Sequence, residues 1–150
     1  MHVLDQLASL LSDMGNVEDL APVVATLRRV APTDSRTHYY SASLYFLQGR
    51  VDLAAREAAL VVRKAPSHSR AQTLLGASLG SLGELKPARE AFEASIRANP
   101  LSARTYFNLA VLEVASHNRE MAAQRYAEAL VLDPTLEDAR RGFEGVRVSR

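Results

Sequence analysis

The chain has 150 residues, 47% of them apolar and 23% charged, with a net charge of +1 and no cysteine. That length supports one domain with one continuous core, and the missing cysteines exclude disulfides, thiolate metal sites and cysteine nucleophiles. A charge so near zero leaves no electrostatic footprint for nucleic acid or an anionic membrane surface, and no run approaches the roughly 18 apolar residues of a membrane helix.

In chain order, apolar residues recurring at i, i+3, i+4 and i+7 predict helices over residues 2–14, 18–30, 36–48, 52–64, 70–81, 86–98, 104–116, 120–131 and 137–147. The first shows the pattern in Leu4, Leu7, Ala8 and Leu11, and the sixth in Leu85, Ala88, Phe92 and Ile96. Asp34 and Ser102 stand where N-caps are needed, with side-chain oxygens for orphan backbone N–H groups. Pro87 falls in a first helical turn, where its missing N–H is harmless. Strand signals are absent: there is no alternating β-branched run and no Asn-Gly hairpin.

The helices come in pairs at a fixed period. Pro32, Pro66, Pro100 and Pro134 are each 34 residues apart, and such a period defines the architecture. It divides the chain into segments 1–34, 35–68, 69–102 and 103–136, with 137–150 left over. Within that frame position 8 is always small (Ala8, Ala42, Gly76, Ala110), and position 20 holds Leu20, Ala54, Ala88 and Ala122. Small residues there let two helices approach closely. Position 15 holds Gly15, Gly49, Gly83 and, as the exception, His117. A helix-ending left-handed conformation favours glycine there. The prolines cannot continue the second helix of each pair, and they bias the residue before them out of the α region.

These columns resemble the tetratricopeptide-repeat family over essentially the whole chain. The stretch from Gly83 to Glu93 with Asn99-Pro100 is the best match, followed by Tyr126 to Leu130 with Asp133-Pro134. Departures fall mainly in the first two repeats, at His38, Val24 and Ala58, with Gln72 in the third. The resemblance implies an all-α fold: a right-handed α-solenoid of four helix–turn–helix repeats plus a capping helix, forming a single domain. In the capping segment Ala139, Phe143 and Val146 are expected to face the stack, with Asp138, Arg140, Arg141, Glu144 and Arg147 toward water. At the other end, His2, Asp5, Gln6, Ser9 and Ser12 are expected to close the stack with a polar side.

No constellation for chemistry emerges. His2, His38, His68 and His117 fall at different repeat positions and complete no H-E-x-x-H pattern. They read as solvated or half-buried helix residues. Gly76, Gly80 and Gly83 match neither a dinucleotide fingerprint nor a P-loop, and no Gly-x-Ser-x-Gly elbow exists. No catalytic residue, cofactor or metal is expected, and the chain is read as a non-enzyme. Residues 1–5 lack the basic stretch and apolar run of a signal peptide, so a cytoplasmic location is expected, with the periplasm as the alternative for a piece of an exported protein.

In the family the concave surface is lined by the first helix of each repeat at positions 2, 5, 9 and 12. Carried over, these are Arg36, Tyr39, Ser43 and Phe46; Arg70, Thr73, Ala77 and Gly80; and Arg104, Phe107, Val111 and Val114. The expected partner site is therefore an arginine rim, suited to carboxylates, over an apolar floor. The carboxylate clamp of co-chaperone members fails here: position 5 of the first clamp repeat would be Asp5 or Tyr39, position 9 Ser9 or Ser43, and only Arg70 or Arg104 matches a basic clamp position. The leading expectation is a scaffold holding a peptide or helix of a partner protein in this groove. The alternatives are a self-associating module and an accessory domain of a larger enzyme or secretion complex. Residues 1–34 carry two basic and five acidic residues, and residues 35–68 carry five basic and two acidic. That polarity permits contacts between copies, weakened by screening.

Overall fold

The 34-residue rhythm of small residues, glycines and prolines is realised as helical hairpins. The computed structural model describes residues 1–148; Ser149 and Arg150, expected in the capping segment, lie outside the described residues. It contains α1 (His2–Asp13), α2 (Val17–Val30), α3 (Ser35–Leu47), α4 (Val51–Lys64), α5 (Ser69–Ser81), α6 (Leu85–Ala98), α7 (Ala103–Ala115), α8 (Arg119–Leu132) and α9 (Glu137–Val148). Each end lies within one residue of its expected place, and no strand occurs among the described residues. Helices pair in sequence as α1/α2, α3/α4, α5/α6 and α7/α8, and α9 closes on α8.

The turns follow one design. Gly15, Gly49 and Gly83 have φ of +67°, +74° and +80°, and the backbone N–H of the residue after each glycine reaches back to close the helix, as Asn16 N–H does to the Leu11 carbonyl. His117 takes the same left-handed turn at φ 59°, although its Cβ makes that region unfavourable by about 1–2 kcal/mol. The fold dictates the conformation, and the residue complies. Before each proline of the period, Ala31, Ala65, Asn99 and Asp133 take φ between −146° and −138°, as steric conflict with the proline ring requires.

N-caps occupy one column. Asp34 accepts from Arg36 N–H, and Ser102 from Thr105 N–H. His68 does the same job through Nδ1, which accepts from Ala71 N–H at 3.1 Å. This role was not apparent among the four histidines. His38 bonds Glu57 at 2.7 Å, and Arg28 joins the same carboxylate at 3.0 Å.

The small columns are buried throughout: Ala8, Ala42, Ala110, Leu20, Ala54, Ala88 and Ala122 are all fully covered. Gly76 shows why. A Cβ there would fall 2.8 Å from the Phe92 ring, so α5 and α6 touch over that ring, whose burial stabilises the hairpin by about 2–3 kcal/mol. A hydroxyl seam joins α5, α6 and α7: Thr73 Oγ1 lies 2.7 Å from Ser95 Oγ and 2.9 Å from Thr105 Oγ1. Further along α7 the Glu113 carboxylate, 0% exposed, is held by Arg89 of α6.

At the C-terminal end Ala139, Phe143 and Val146 pack against Tyr126 and Ala129, while Arg140, Arg141, Glu144 and Arg147 are exposed. The N-terminal end differs from expectation. The polar residues of α1 do not close it, because Val3, Leu7 and Leu10 of the same helix and Met14 at its C-cap are exposed. Asp5 instead turns inward to accept from the Tyr40 hydroxyl.

Candidate functional site: the concave groove

The first helices of successive hairpins touch one another, α1 with α3, α3 with α5, α5 with α7 and α7 with α9. They line one continuous face, because a 34-residue repeat returns each first helix to the same side. Two adjoining hollows open on it. The larger, about 690 Å³, is lined by the end of α1 (Ser12, Asp13, Met14), by Tyr39, Ser43, Phe46 and Leu47 of α3, by Arg70, Thr73, Leu74 and Ala77 of α5, and by Ser102, Arg104 and Asn108. The smaller, about 300 Å³, lies between Phe46, Ala77, Gly80, Phe92, Val111, Leu112 and Ala115. Phe46, Ala77 and Asn108 border both.

Of the twelve residues expected in the groove, nine line one hollow or the other: Tyr39, Ser43, Phe46, Arg70, Thr73, Ala77, Gly80, Arg104 and Val111. Three do not. Arg36 is drawn to the rim by Asp34, at 2.9 Å, with Asp5 at 3.9 Å. Phe107 turns away from the groove and packs on Tyr126, with ring centroids 6.1 Å apart, in the core under α9. Val114 is exposed but lines neither hollow.

The three arginines of one column therefore have three fates. Arg36 is paired as above. Arg70 is paired with Asp13 of α1 and hydrogen-bonds Ser9, and its guanidinium sits 5.4 Å from the centre of the Tyr39 ring. Arg104 is exposed, and its side chain makes no hydrogen bond or ion pair with another described residue. It is the cation left for a ligand in this column. Tyr39 is buried beneath Arg70, and that burial pushes its phenol pKa up. Thr73 spends its hydroxyl on Ser95 and Thr105 rather than on the groove.

Asn108, Asp13 and Met14 line the groove without having been expected there. Asn108 stands one residue beyond Phe107 in the repeat, so the direction of the helix face at that point decides which of the two looks outward. Among the described residues no group of three or more His, Asp or Glu side chains is placed to hold a metal ion. No described helix is long and apolar enough to cross a membrane.

Among the described residues, the chemistry of the face is a polar hollow with one available cation in the arginine column, beside an apolar hollow walled by Phe46, Phe92, Val111 and Leu112. The same architecture recurs in solved structures. A thermophilic tetratricopeptide-repeat protein of Thermus thermophilus matches at 19% identity with a TM-score of 0.85, over 99% of this chain and 81% of that one. MamA matches at 15% identity with a TM-score of 0.75, over 97% and 79%. The first such domain of Spaghetti, solved with the HSP90 peptide SRMEEVD, matches at 18% with a TM-score of 0.72, over 75% and 90%. No curated protein matches the sequence significantly. The tetratricopeptide-repeat family model matches residues 6–69 and 73–137. With the proline period, the left-handed turns and the stacked hairpins, this makes the chain a member of the tetratricopeptide-repeat family.

Proposed function

We propose that the chain is a protein-interaction scaffold whose concave groove holds a segment of a partner protein. The observation that carries this reading is the pairing of Arg104, whose side chain has no partner among the described residues, with the adjoining apolar hollow at Phe46 and Val111. A segment with an apolar side chain next to an acidic one satisfies both, the first by desolvation and the second by a charge-assisted hydrogen bond. The acidic peptide SRMEEVD held by a domain of similar fold supports this class of ligand. The co-chaperone clamp itself is not carried over, because its other positions are not matched.

Affinity capture from native cells, followed by binding measurements on the captured segment, tests the proposal. Phe46→Ala is expected to weaken binding by about 2 kcal/mol, or roughly 30-fold. Val111→Glu acts in the same direction by charging the apolar hollow. Arg104→Ala lowers affinity by about 1 kcal/mol or less and flattens its salt dependence. Undiminished binding in all three variants overturns the groove as the site.

A further inference from the structure

Positions 3, 7 and 10 of the repeat have one job throughout the stack. In α3 they are Thr37, Ser41 and Leu44, in α5 Ala71, Leu75 and Ser78, and in α7 Thr105, Leu109 and Leu112; all are buried except half-buried Leu75. Each set faces the preceding hairpin, as Leu109 and Leu112 do in their cluster with Ala88 and Phe92. In α9 the same positions are Ala139, Phe143 and Val146, packed on the last hairpin. In α1 they are Val3, Leu7 and Leu10, which are 73%, 40% and 57% exposed; Met14, the C-cap residue that also borders the larger hollow, extends the row at 67%. The stacking face of α1 is thus apolar and uncovered.

We propose that a second copy of this chain covers that face, its α1 lying antiparallel on the first across a two-fold axis. The row has the 4-3-4 spacing of a two-helix seam. It is also symmetric about its own midpoint. Positions 3 and 14 are equidistant from the centre, as are 7 and 10, so a two-fold sets Val3 on Met14 of the second copy and Leu7 on Leu10. The 4-3-4 spacing is palindromic, so the row meets the self-complementarity that an isologous contact demands.

The charges allow it. Asp5 is turned to Tyr40 and Arg36, and Asp13 to Arg70, within the same chain. An antiparallel pair places each Asp13 about 13 Å along the axis from its symmetry mate, nine residues at the helical rise. That exceeds the screening length at physiological salt. Antiparallel helices also bring opposite dipole ends together. The contact is continuous with the stack, since it uses the face that every later hairpin uses to receive its predecessor, and a two-fold contact closes at two copies.

Sedimentation equilibrium of the whole chain from micromolar to roughly millimolar concentration tests this, with circular dichroism as the check on folding. The expected result is a monomer–dimer equilibrium and no larger species. Leu10→Glu is expected to weaken dimerisation roughly 100-fold at unchanged helicity, because it removes one buried leucine from each chain. Leu7→Glu gives the same outcome by the opposite member of the pair. The groove variant Phe46→Ala leaves the dimer intact, which separates this surface from the groove. A monomer at every concentration, growth beyond two copies, a dimer untouched by both leucine variants, or a dimer lost in Phe46→Ala overturns the proposal.

Discussion

The helix α9 turns one apolar face inward and a charged face to water, whereas α1 carries apolar residues on two faces and has only one of them covered. Both are outer helices of the stack. In α9, positions 4, 8 and 11, which would meet a following helix, are Arg140, Glu144 and Arg147. In α1 those positions are Leu4, Ala8 and Leu11, packed with α2 and α3, and the row facing the other way is apolar as well. A capping helix is therefore recognised by what it lacks, a second apolar row. By that measure α9 is a cap and α1 has the make-up of an interior helix.

Variants can break or sharpen this contrast, and an interior junction sets the scale. Glu113 is fully buried against Arg89. Arg89→Ala strands a buried carboxylate and is expected to lower stability by about 3–5 kcal/mol. Glu113→Ala is milder, at about 2 kcal/mol, because the Arg89 side chain is 32% exposed and turns to water. Equal losses in denaturant titrations of the two variants would remove the asymmetry.

At the cap, Gly142 lies against Tyr126, and a Cβ there would penetrate the van der Waals envelope of that ring. Gly142→Ala is expected to loosen α9 and lower stability by about 1–3 kcal/mol, with faster amide exchange in α9 than in α5. Uniform exchange would show that α9 is not held through this contact.

The first hairpin is tied to the second partly through Tyr40, whose phenol is pushed up to about 12, chiefly by burial and then by its hydrogen bond to Asp5. The folded pKa lies above the ordinary value of 10, so this contribution is intact below pH 10 and fades as the pH climbs toward 12. Chemical denaturation across that window should show a decline that Tyr40→Phe flattens; an identical decline in the variant would assign it elsewhere.

The smallest effect is expected at the other end of α1. Leu10→Gln, measured where the chain is monomeric, should change stability by no more than about 0.5 kcal/mol, because that side chain is mostly in water already. A loss comparable to Gly142→Ala would mean that α1 is as fully covered as α9.

Much of this molecule was legible in its sequence, for a physical reason. Pro32 and its three counterparts, the small column at Ala8 and the turn glycines act locally, through φ, a missing N–H or closeness of approach, so their spacing transfers directly to helix ends and hairpin pairing. The groove was legible only as a face. Phe46 and Phe107 belong to one face by periodicity, yet Phe107 is claimed by Tyr126 of α8, a contact set by packing across the repeat. Arg36, Arg70 and Arg104 share a column, but what each binds depends on where Asp34, Asp5 and Asp13 come to lie in three dimensions. The polar residues of α1 drew attention from Val3, Leu7, Leu10 and Met14 because both sets are present on one short helix. The same positions in α3, α5, α7 and α9 are buried or half-buried, which marks the apolar row of α1 as a stacking face.

The pairing of Arg70 with Asp13 spans from the third hairpin to the first, passing over the second. Stacked repeats are ordinarily coupled only to their neighbours, like beads on a spring. This pair ties the first hairpin to the third across the groove, a link that is electrostatic rather than apolar. It relaxes as salt rises. Both partners are about half exposed, so the tie is a weak, salt-screened one laid over the stronger packing between adjacent helices.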